Sequence, residues 1–382
     1  MEKIRIGDVC EILNGYAFKS ENYVGDGIRI IRIANVQKGF IEDNTPAFYP
    51  LDSEGLDKYM LEEGDLLMSL TGNVGRVALL EKEFLPAVLN QRVACLRLIS
   101  DKISKGYLFH ILNSEYFERQ CVQSSKGVAQ KNMSTEWLKN YKIPLYSRKE
   151  QEKIVEILDN MRNVIGNRVG EIQLLDNFIR ARFVEMFGDP VSNSCHLPEA
   201  TLPELGEFGR GVSKHRPRNA PELLGGSYPL IQTGEVTSAN LYITSYANTY
   251  SEMGFRQSKM WNKGTLCITI AANIAKTAIL GFDACFPDSV VGFNANERAN
   301  NIYIHYWFSF FQTILEAQAP ESAQKNINLK ILSELKLIVP SVDKQNEFAT
   351  FVRQVDKLKL AIQKALDETQ LLFDSLMQQY FR

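Results

Sequence analysis

The sequence repeats itself over a long distance. Gly64, Leu66, Asn73, Ala78 and Leu80 return in the same spacing as Gly264, Leu266, Asn273, Ala278 and Leu280. Downstream, Ala129, Gln130, Lys131 and Asn132 return intact as Ala323, Gln324, Lys325 and Asn326. Each echo is followed by a glutamine, Gln151 or Gln345, that opens a long helical pattern. A period of about 195 to 200 residues is far longer than the roughly 20–50 residues of a stacked-repeat protein. The chain must therefore fold as two copies of one domain, and a duplicated domain implies a target with two parts.

Each copy is large enough to bury a core, since 45% of the 382 residues are hydrophobic. The formal net charge of -2 does not advertise a nucleic-acid binder, but local basic faces matter more than the sum. The six cysteines (Cys10, Cys95, Cys121, Cys195, Cys267 and Cys285) form no C-x-x-C pair and read as small buried residues in a reducing cytosol. Met1 to Arg5 leads into no hydrophobic stretch, so no signal peptide is expected. No apolar run approaches the ~18 residues needed to span a bilayer.

Each copy has two parts. The first mixes short strand-like runs, such as 28–33 and 94–98, with turns punctuated by Gly72 and Gly75. Residues 107–121 and 303–315 carry helical amphipathic patterns. The second part is a long helix with apolar residues at alternating spacings of three and four. In the first copy these are Ile154, Leu158, Met161, Ile165, Ile172, Leu175, Ile179 and Phe183. In the second they are Phe348, Phe351, Val355, Leu358, Ile362, Thr369, Leu372 and Leu376, with a gap near Ala365. That spacing draws a narrow seam on one helix face, as in a coiled coil. Such a helix, about 50–60 Å long at 1.5 Å per residue, needs a partner for its seam. The two helices either cover each other or dimerise with another chain. Gly188, Asp189 and Pro190 stop the first helix.

Catalytic signatures are missing. There is no phosphate-cradling G-x-x-x-x-G-K-[ST] loop and no G-x-G-x-x-G after a strand. The small loop 71–75 loses both glycines in its copy at 271–275, which a nucleotide site would not tolerate. No Asn-Pro-Pro-Tyr or Asp-Pro-Pro-Tyr motif of an amino-methyltransferase is present. Pro287-Asp288 resembles the start of a nuclease metal motif, but Glu297 lacks the lysine that should follow, so it is read as a chance match. The four histidines (His110, His196, His215 and His305) show no metal-ligand spacing. His110 and His305 occupy near-equivalent places and read as structural.

Polar and basic residues gather instead in the loops. The first copy offers Lys19, Arg29, Arg32, Asn73, Arg76, Asn90, Gln91, Arg92, Lys126, Gln130, Lys131 and Asn132. The second offers Lys214, His215, Arg216, Arg218, Gln232, Thr233, Asn273, Lys276, Gln324, Lys325 and Asn326. Arg and Lys suit guanine edges, and Asn and Gln suit adenine, while others hold phosphates without reading sequence. The same residues also suit ordinary solvated loops. The repeated Ala-Gln-Lys-Asn tetrad is either a structural turn onto the next helix or a phosphate contact.

The whole chain resembles the DNA-specificity subunit of Type I restriction-modification systems. The resemblance rests on the duplicated order of globular part and long helix. It also rests on Gly64-Asp65-Leu66-Leu67 with residues 71–75, Pro287 to Phe293, Gln130-Lys131-Asn132, Ile143-Pro144 with Gln151, and the helix end 182–189. It implies a mixed α/β chain with pseudo-two-fold symmetry: target-recognition domains at 1–146 and 191–341, and antiparallel spacer helices at 147–190 and 342–382. It further implies a cytoplasmic, non-catalytic subunit that reads a two-part, asymmetric site in double-stranded DNA. Two methyltransferase subunits would dock on the spacer helices and restriction subunits would join them; S-adenosylmethionine, ATP and Mg belong to those partners and none to this chain. The contrasting possibility is a non-catalytic adaptor with a coiled-coil spacer. In the second copy Asp65 is replaced by Thr265, Gly72 and Gly75 by Ala272 and Ala275, and Pro340 stands where the first has Tyr146, which leaves the second copy's loop geometry open.

Overall fold

The computed structural model describes residues 2–125, 132–271, 274–318 and 329–382. The chain divides into two units, one of residues 1–168 with 365–382, the other of residues 169–364. Each unit therefore takes a globular part and a stretch of both long helices.

In unit 1, β1 (Lys3–Arg5) pairs antiparallel with β9 (Lys142–Pro144). The strands β2 (Cys10–Asn14), β8 (Val93–Leu98), β5 (Leu66–Ser69) and β6 (Val77–Leu79) form one sheet in that order. A second sheet runs β4 (Phe48–Tyr49), β3 (Ile28–Ile31), β7 (Ala87–Leu89), with β3 and β7 parallel. Helices α1 (Lys105–Leu112), α2 (Glu115–Ser124) and α3 (Thr135–Asn140) precede β9, and α4 (Arg148–Phe187) follows it. The 107–121 pattern is thus two helices. Ser114 ends the first by donating to the Ile111 carbonyl and caps the second by accepting the Phe117 N–H at 3.2 Å.

Unit 2 repeats this plan. Strands β10 (Glu199–Thr201) and β20 (Lys336–Ile338) pair antiparallel. After α5 (Leu202–Leu205), strands β11 (Gly206–Arg210), β19 (Val290–Ala295), β16 (Leu266–Thr269), β17 (Thr277–Leu280) and β13 (Tyr242–Ile243) form one sheet. The other runs β14 (Asn248–Tyr250), β12 (Leu224–Leu230), β18 (Ala284–Cys285), β15 (Met260–Trp261), again with its internal pair β12 and β18 parallel. Four short or long helices complete it: α6 (Thr233–Ser238), α7 (Glu252–Arg256), α8 (Asn301–Gln318) and α9 (Leu329–Glu334), before α10 (Val342–Phe381). Strand for strand, the shared part of the order is the same in both units.

The two glutamines that open the long helices explain their repetition. Gln151 is fully buried. It accepts the Ser104 N–H at 2.8 Å and donates to the Lys102 and Tyr146 carbonyls at 2.8 and 2.9 Å. Gln345, equally buried, accepts the Asn300 N–H at 2.9 Å and donates to the Arg298 and Pro340 carbonyls at 3.0 and 2.9 Å. Each satisfies open backbone at the start of an earlier helix, α1 or α8, and at the entry to its own, for which a neutral amide supplies both donor and acceptor. Tyr107 and Tyr303 are a second shared anchor: their hydroxyls donate to the Pro144 and Ile338 carbonyls. One departure is also compensated. Asp65 accepts from Arg97 in unit 1, whereas Thr265 donates to Asn294 in unit 2, both partners standing one residue beyond an equivalent strand pairing (Leu66 with Leu96, Leu266 with Phe293).

The long helices pack on each other within each unit, so the partner of each seam lies in the same chain. In unit 2, Ile179, Phe183 and Phe187 meet Phe348, Val352 and Val355, and Phe183 lies edge-on to Phe348 at 5.4 Å. Burial of each such side chain stabilises by roughly 1.5–3 kcal/mol. In unit 1, Ile154 and Leu158 share a core with Met377 and Phe381. The contacts run antiparallel, from Phe178 with Phe351 to Asp176 with Lys359 in unit 2 and from Tyr146 with Tyr380 to Arg168 with Thr369 in unit 1. The apolar pattern misplaced part of the second seam. Leu358 and Leu372 are 52% and 56% exposed, while Lys359 is 6% exposed. Between Phe348 and Met377, both buried, the seam of α10 runs through Val352, Val355, Lys359, Ile362, Leu366, Thr369 and Phe373. Two polar members hide this seam from a search for leucines. Lys359 Nζ bonds Asp176 Oδ1 at 2.5 Å, and the Arg168 guanidinium bonds Thr369 and the Ala365 carbonyl.

Two further expectations need correction. Cys195 is exposed, in the loop after α4, while the other five cysteines are buried. His110 and His305 are not equivalent, because His110 lies three residues after Tyr107 and His305 two after Tyr303. His110 Nε2 is 2.8 Å from Asp159, whereas His305 Nδ1 is 2.9 Å from the Thr277 hydroxyl. Among the described residues no cluster of three metal-ligating side chains occurs, and no helix is long and apolar enough to cross a membrane.

Candidate nucleic-acid interface

In unit 1 three loops distant in sequence meet at one end of the sheet. The Leu70 N–H, leaving β5, donates to the Arg92 carbonyl at 3.0 Å, and the Leu70 carbonyl accepts the Met133 N–H at 2.9 Å. Thr71 bridges Asn132. Asn73, Gln91, Arg92 and Asn132 are exposed there, with Asn90 and Arg76 half-buried beside them. The β5–β6 turn closes on Ser69, whose carbonyl accepts the Gly75 N–H at 3.0 Å and whose hydroxyl accepts the Arg76 N–H at 3.1 Å. Gly75 adopts φ +84° and lies against Cys121, so glycine suits both backbone and space.

Among the described residues, unit 2 builds two of these loops in the same way. The Ile270 N–H donates to the Ser289 carbonyl at 3.1 Å. Thr269 takes the place of Ser69, accepting the Ala275 N–H at 2.9 Å on its carbonyl and the Lys276 N–H at 3.1 Å on its hydroxyl. Ala275 holds φ +58°, so the turn survives without its glycine at a cost of about 1–2 kcal/mol. The next turn is also shared: Val93 donates to the Asn90 carbonyl at 2.9 Å and Val290 to the Pro287 carbonyl at 3.0 Å. Asn90, Gln91 and Arg92 are therefore matched in place by Pro287, Asp288 and Ser289.

The chemistry on that matched turn is inverted. Unit 1 carries its cation on the turn, as Arg92. Unit 2 carries a carboxylate there, and its cations stand opposite in the exposed run 214–219. Asp288 Oδ1 is 2.5 Å from Arg218, and Asp288 Oδ2 is 3.4 Å from Arg216. The run is anchored: Gln257 Oε1 accepts the N–H groups of Lys214 and His215 at 2.5 and 3.0 Å, and Arg216 donates to the Ser213 carbonyl at 2.6 Å.

The Type I restriction modification DNA specificity domain matches residues 1–175 and again residues 200–369. The chain belongs to this family. The type I restriction enzyme EcoBI specificity subunit of Escherichia coli is 24% identical over 416 residues, spanning 100% of this chain and 85% of that one. The MjaVIII specificity subunit of Methanocaldococcus jannaschii is 33% identical over 171 residues, 43% of this chain and 40% of that one. The Type-I restriction-modification S subunit of M. genitalium shares the fold, with a TM-score of 0.58 at 16% identity over 100% of this chain and 96% of that one. The protein is thus the DNA specificity subunit of a Type I restriction-modification system, the non-catalytic part of that complex, with no cofactor in its own chain.

Within this specificity subunit the candidates differ in placement. Asn73, Arg76, Asn90, Gln91, Arg92 and Asn132 are drawn together in unit 1; in unit 2 Lys276 lies on the matching β16–β17 turn, and Lys214, Arg216 and Arg218 lie on the loop that follows β11. Others are held by internal duties. Arg32 bonds the Thr45 carbonyl, Arg29 pairs with Asp43, and Gln232 caps α6 through a reciprocal pair with Glu235, ahead of Thr233. Lys19 is exposed, with Nζ 3.7 Å from Glu21. Lys126, Gln130, Lys131, Asn273, Gln324, Lys325 and Asn326 lie outside the described residues, and with them most of both tetrads. Tyr16 was missed. Its carbonyl accepts the Gln91 N–H at 2.9 Å and its ring is 41% exposed beside the polar cluster. Nothing in the sequence joins two residues so far apart.

Proposed function

We propose that each unit reads one half of a two-part, asymmetric site in double-stranded DNA. In this reading, residues 1–146 and 191–341 are the reading parts, and 147–190 and 342–382 are spacers that set the unread gap. A half-site separation of about one helical turn, roughly 34–36 Å, would put both reading parts on one face of the duplex. The observation that carries the proposal is the matched turn: one backbone, with Asn90-Gln91-Arg92 in one unit and Pro287-Asp288-Ser289 in the other. A scaffold kept while its polar tip inverts charge is what reading two different sequences requires. The exposed tips (Asn73, Gln91, Arg92 and Asn132; Lys214, Arg218 and Lys276) are the assigned DNA contacts. The subunit would act in the cytoplasm with two methyltransferase subunits and with restriction subunits, which bring S-adenosylmethionine, ATP and Mg. Docking of the methyltransferase subunits falls to apolar residues left outside the seams, notably Leu174 in unit 2 and Leu371 and Leu372 in unit 1, each more than half exposed.

The test is domain exchange read by methylome sequencing of a host that expresses the assembled complex. Replacing residues 1–146 with those of a relative changes one half of the methylated sequence and leaves the other half and the gap intact. Lengthening 147–190 widens the gap and leaves both halves alone. Scrambling of both halves by either change refutes the proposal.

A further inference from the structure

Asp288 is out of place on a DNA-facing surface. A carboxylate there repels phosphates, and it is met by Arg216 and Arg218. Its position is nonetheless built. The 287–289 turn is tied to the β16–β17 turn through Ser289, and the opposing 213–218 loop is tied down by Gln257 and by the Ser258 hydroxyl, which donates to the Val212 carbonyl at 2.8 Å.

The two arginines that meet Asp288 differ in what they have left to give. Arg216 spends one terminal nitrogen on the Ser213 and His215 carbonyls, at 2.6 and 2.9 Å, and the other on Asp288. It braces the loop. Arg218 has one partner among the described residues, Asp288 Oδ1, and its side chain is 44% exposed. Asp288 Oδ1 meets only one terminal nitrogen, Nη2, as an ion pair, and the other N–H donors of the guanidinium remain available. Arginine reads guanine through two donors aligned with O6 and N7. A guanidinium already drawn toward a carboxylate loses less freedom on doing so, because the ion pair narrows the orientations of its planar fork.

We propose that Asp288 is the positioning residue for Arg218, and that Arg218 so held reads a guanine in the half-site of unit 2. This rests on unit 2 reading DNA. It adds the residue, the base and the reason for an acidic group at the turn where unit 1 has Gln91. The electrostatics give it a signature. Removal of Asp288 also removes a repulsive charge, so non-specific affinity is preserved or rises while discrimination at one base falls.

The assay uses the assembled methyltransferase complex and reads the recognised motif by methylome sequencing, with binding to duplexes carrying each base at the assigned position. In the variants Asp288→Asn and Arg218→Lys the same single guanine of the unit 2 half-site relaxes, with discrimination falling by roughly tenfold or more. The unit 1 half-site is unchanged. The salt slope of binding is unchanged for Asp288→Asn, whereas Lys214→Ala lowers it by about one. A purely structural role for Asp288 would weaken methylation of the whole site without changing the base preferred. Tighter binding of Asp288→Asn to all sequences with the motif intact overturns the inference, as does an unaltered motif in Arg218→Lys. Exchange of residues 191–341 separates the two levels. If the exchange alters one half-site and the point variants alter nothing, this inference alone fails; if the exchange alters nothing, the reading of unit 2 fails with it.

Discussion

Replacing Gln345 with leucine tests how the long helix of unit 2 is fastened. The change keeps side-chain size and apolar contact but strips three hydrogen bonds, to the Asn300 N–H, the Arg298 carbonyl and the Pro340 carbonyl. A buried backbone group left without a partner costs about 1–3 kcal/mol. The Pro340 carbonyl is buried, whereas Asn300 and Arg298 are near enough to the surface for water to recover part of the loss. The sum comes to about 3 kcal/mol. Because the chain has two units, a single melting temperature would blur the effect. Native-state hydrogen exchange localises it. The Asn300 amide and the first turn of α8 lose protection by roughly a hundredfold, as about 3 kcal/mol demands, while Ser104 and α1 in unit 1 keep theirs. Gln151→Leu gives the mirror image. A loss below about 0.5 kcal/mol for Gln345→Leu, within the range of ordinary surface substitutions, would refute the clamp, and equal loss in both units would refute its local action.

Four other outcomes follow from the geometry. Ala275→Gly relieves the left-handed backbone and stabilises unit 2 by about 0.5–1 kcal/mol, whereas Gly75→Ala, against Cys121 at φ +84°, destabilises unit 1 by several-fold more, both read by urea midpoint. Asp176→Ala removes the hydrogen-bonded partner of buried Lys359 and leaves it only the nearby Asp356 carboxylate, destabilising by about 1–2 kcal/mol, while Lys359→Met is neutral or stabilising. Burial, with help from Lys359, pushes the His305 pKa down to about 4, below the ~6.5 of an unfolded histidine. Its neutral form therefore stabilises the fold fully above about pH 6.5 and progressively loses that contribution, roughly 2–3 kcal/mol, as pH falls to 4; His305→Asn flattens the pH profile of the urea midpoint over that window. Arg92→Ala weakens DNA binding by the assembled complex and changes recognition only in the half-site of unit 1, measured by the same methylome readout.

Periodicity carried the architecture further than the seams. Both long helices and the repeated order of parts were legible because apolar spacing and an exact echo of residues are properties of sequence alone. The second seam was not, because Lys359 and Thr369 occupy covered positions that only the facing Asp176 and Arg168 make acceptable. The break between α1 and α2 turned on one serine whose two bonds outweigh the apolar pattern through it. The candidate site was legible as residue types and not as places. Arg32 and Gln232 belong to the right chemistry, yet each is held by a neighbouring carbonyl or carboxylate. Tyr16 belongs to the site through a backbone bond to Gln91 that no local pattern announces.

The two units also show which links of the duplication resist change. Positions satisfying buried backbone have stayed the same: the Gln151 and Gln345 amides, the Tyr107 and Tyr303 hydroxyls, and the Ser69 and Thr269 hydroxyls each serve groups that would otherwise be left without partners. Where a side chain serves another side chain, substitution came in pairs, as Asp65 with Arg97 became Thr265 with Asn294. Where it serves the tip of the turn, no buried backbone group opposes change, and Gln91 stands against Asp288, whose partners are the loop arginines Arg216 and Arg218. Backbone satisfaction fixes the platform, and the absence of such a constraint frees the tip. A specificity subunit needs that division, because a new recognition sequence must arise without a new fold.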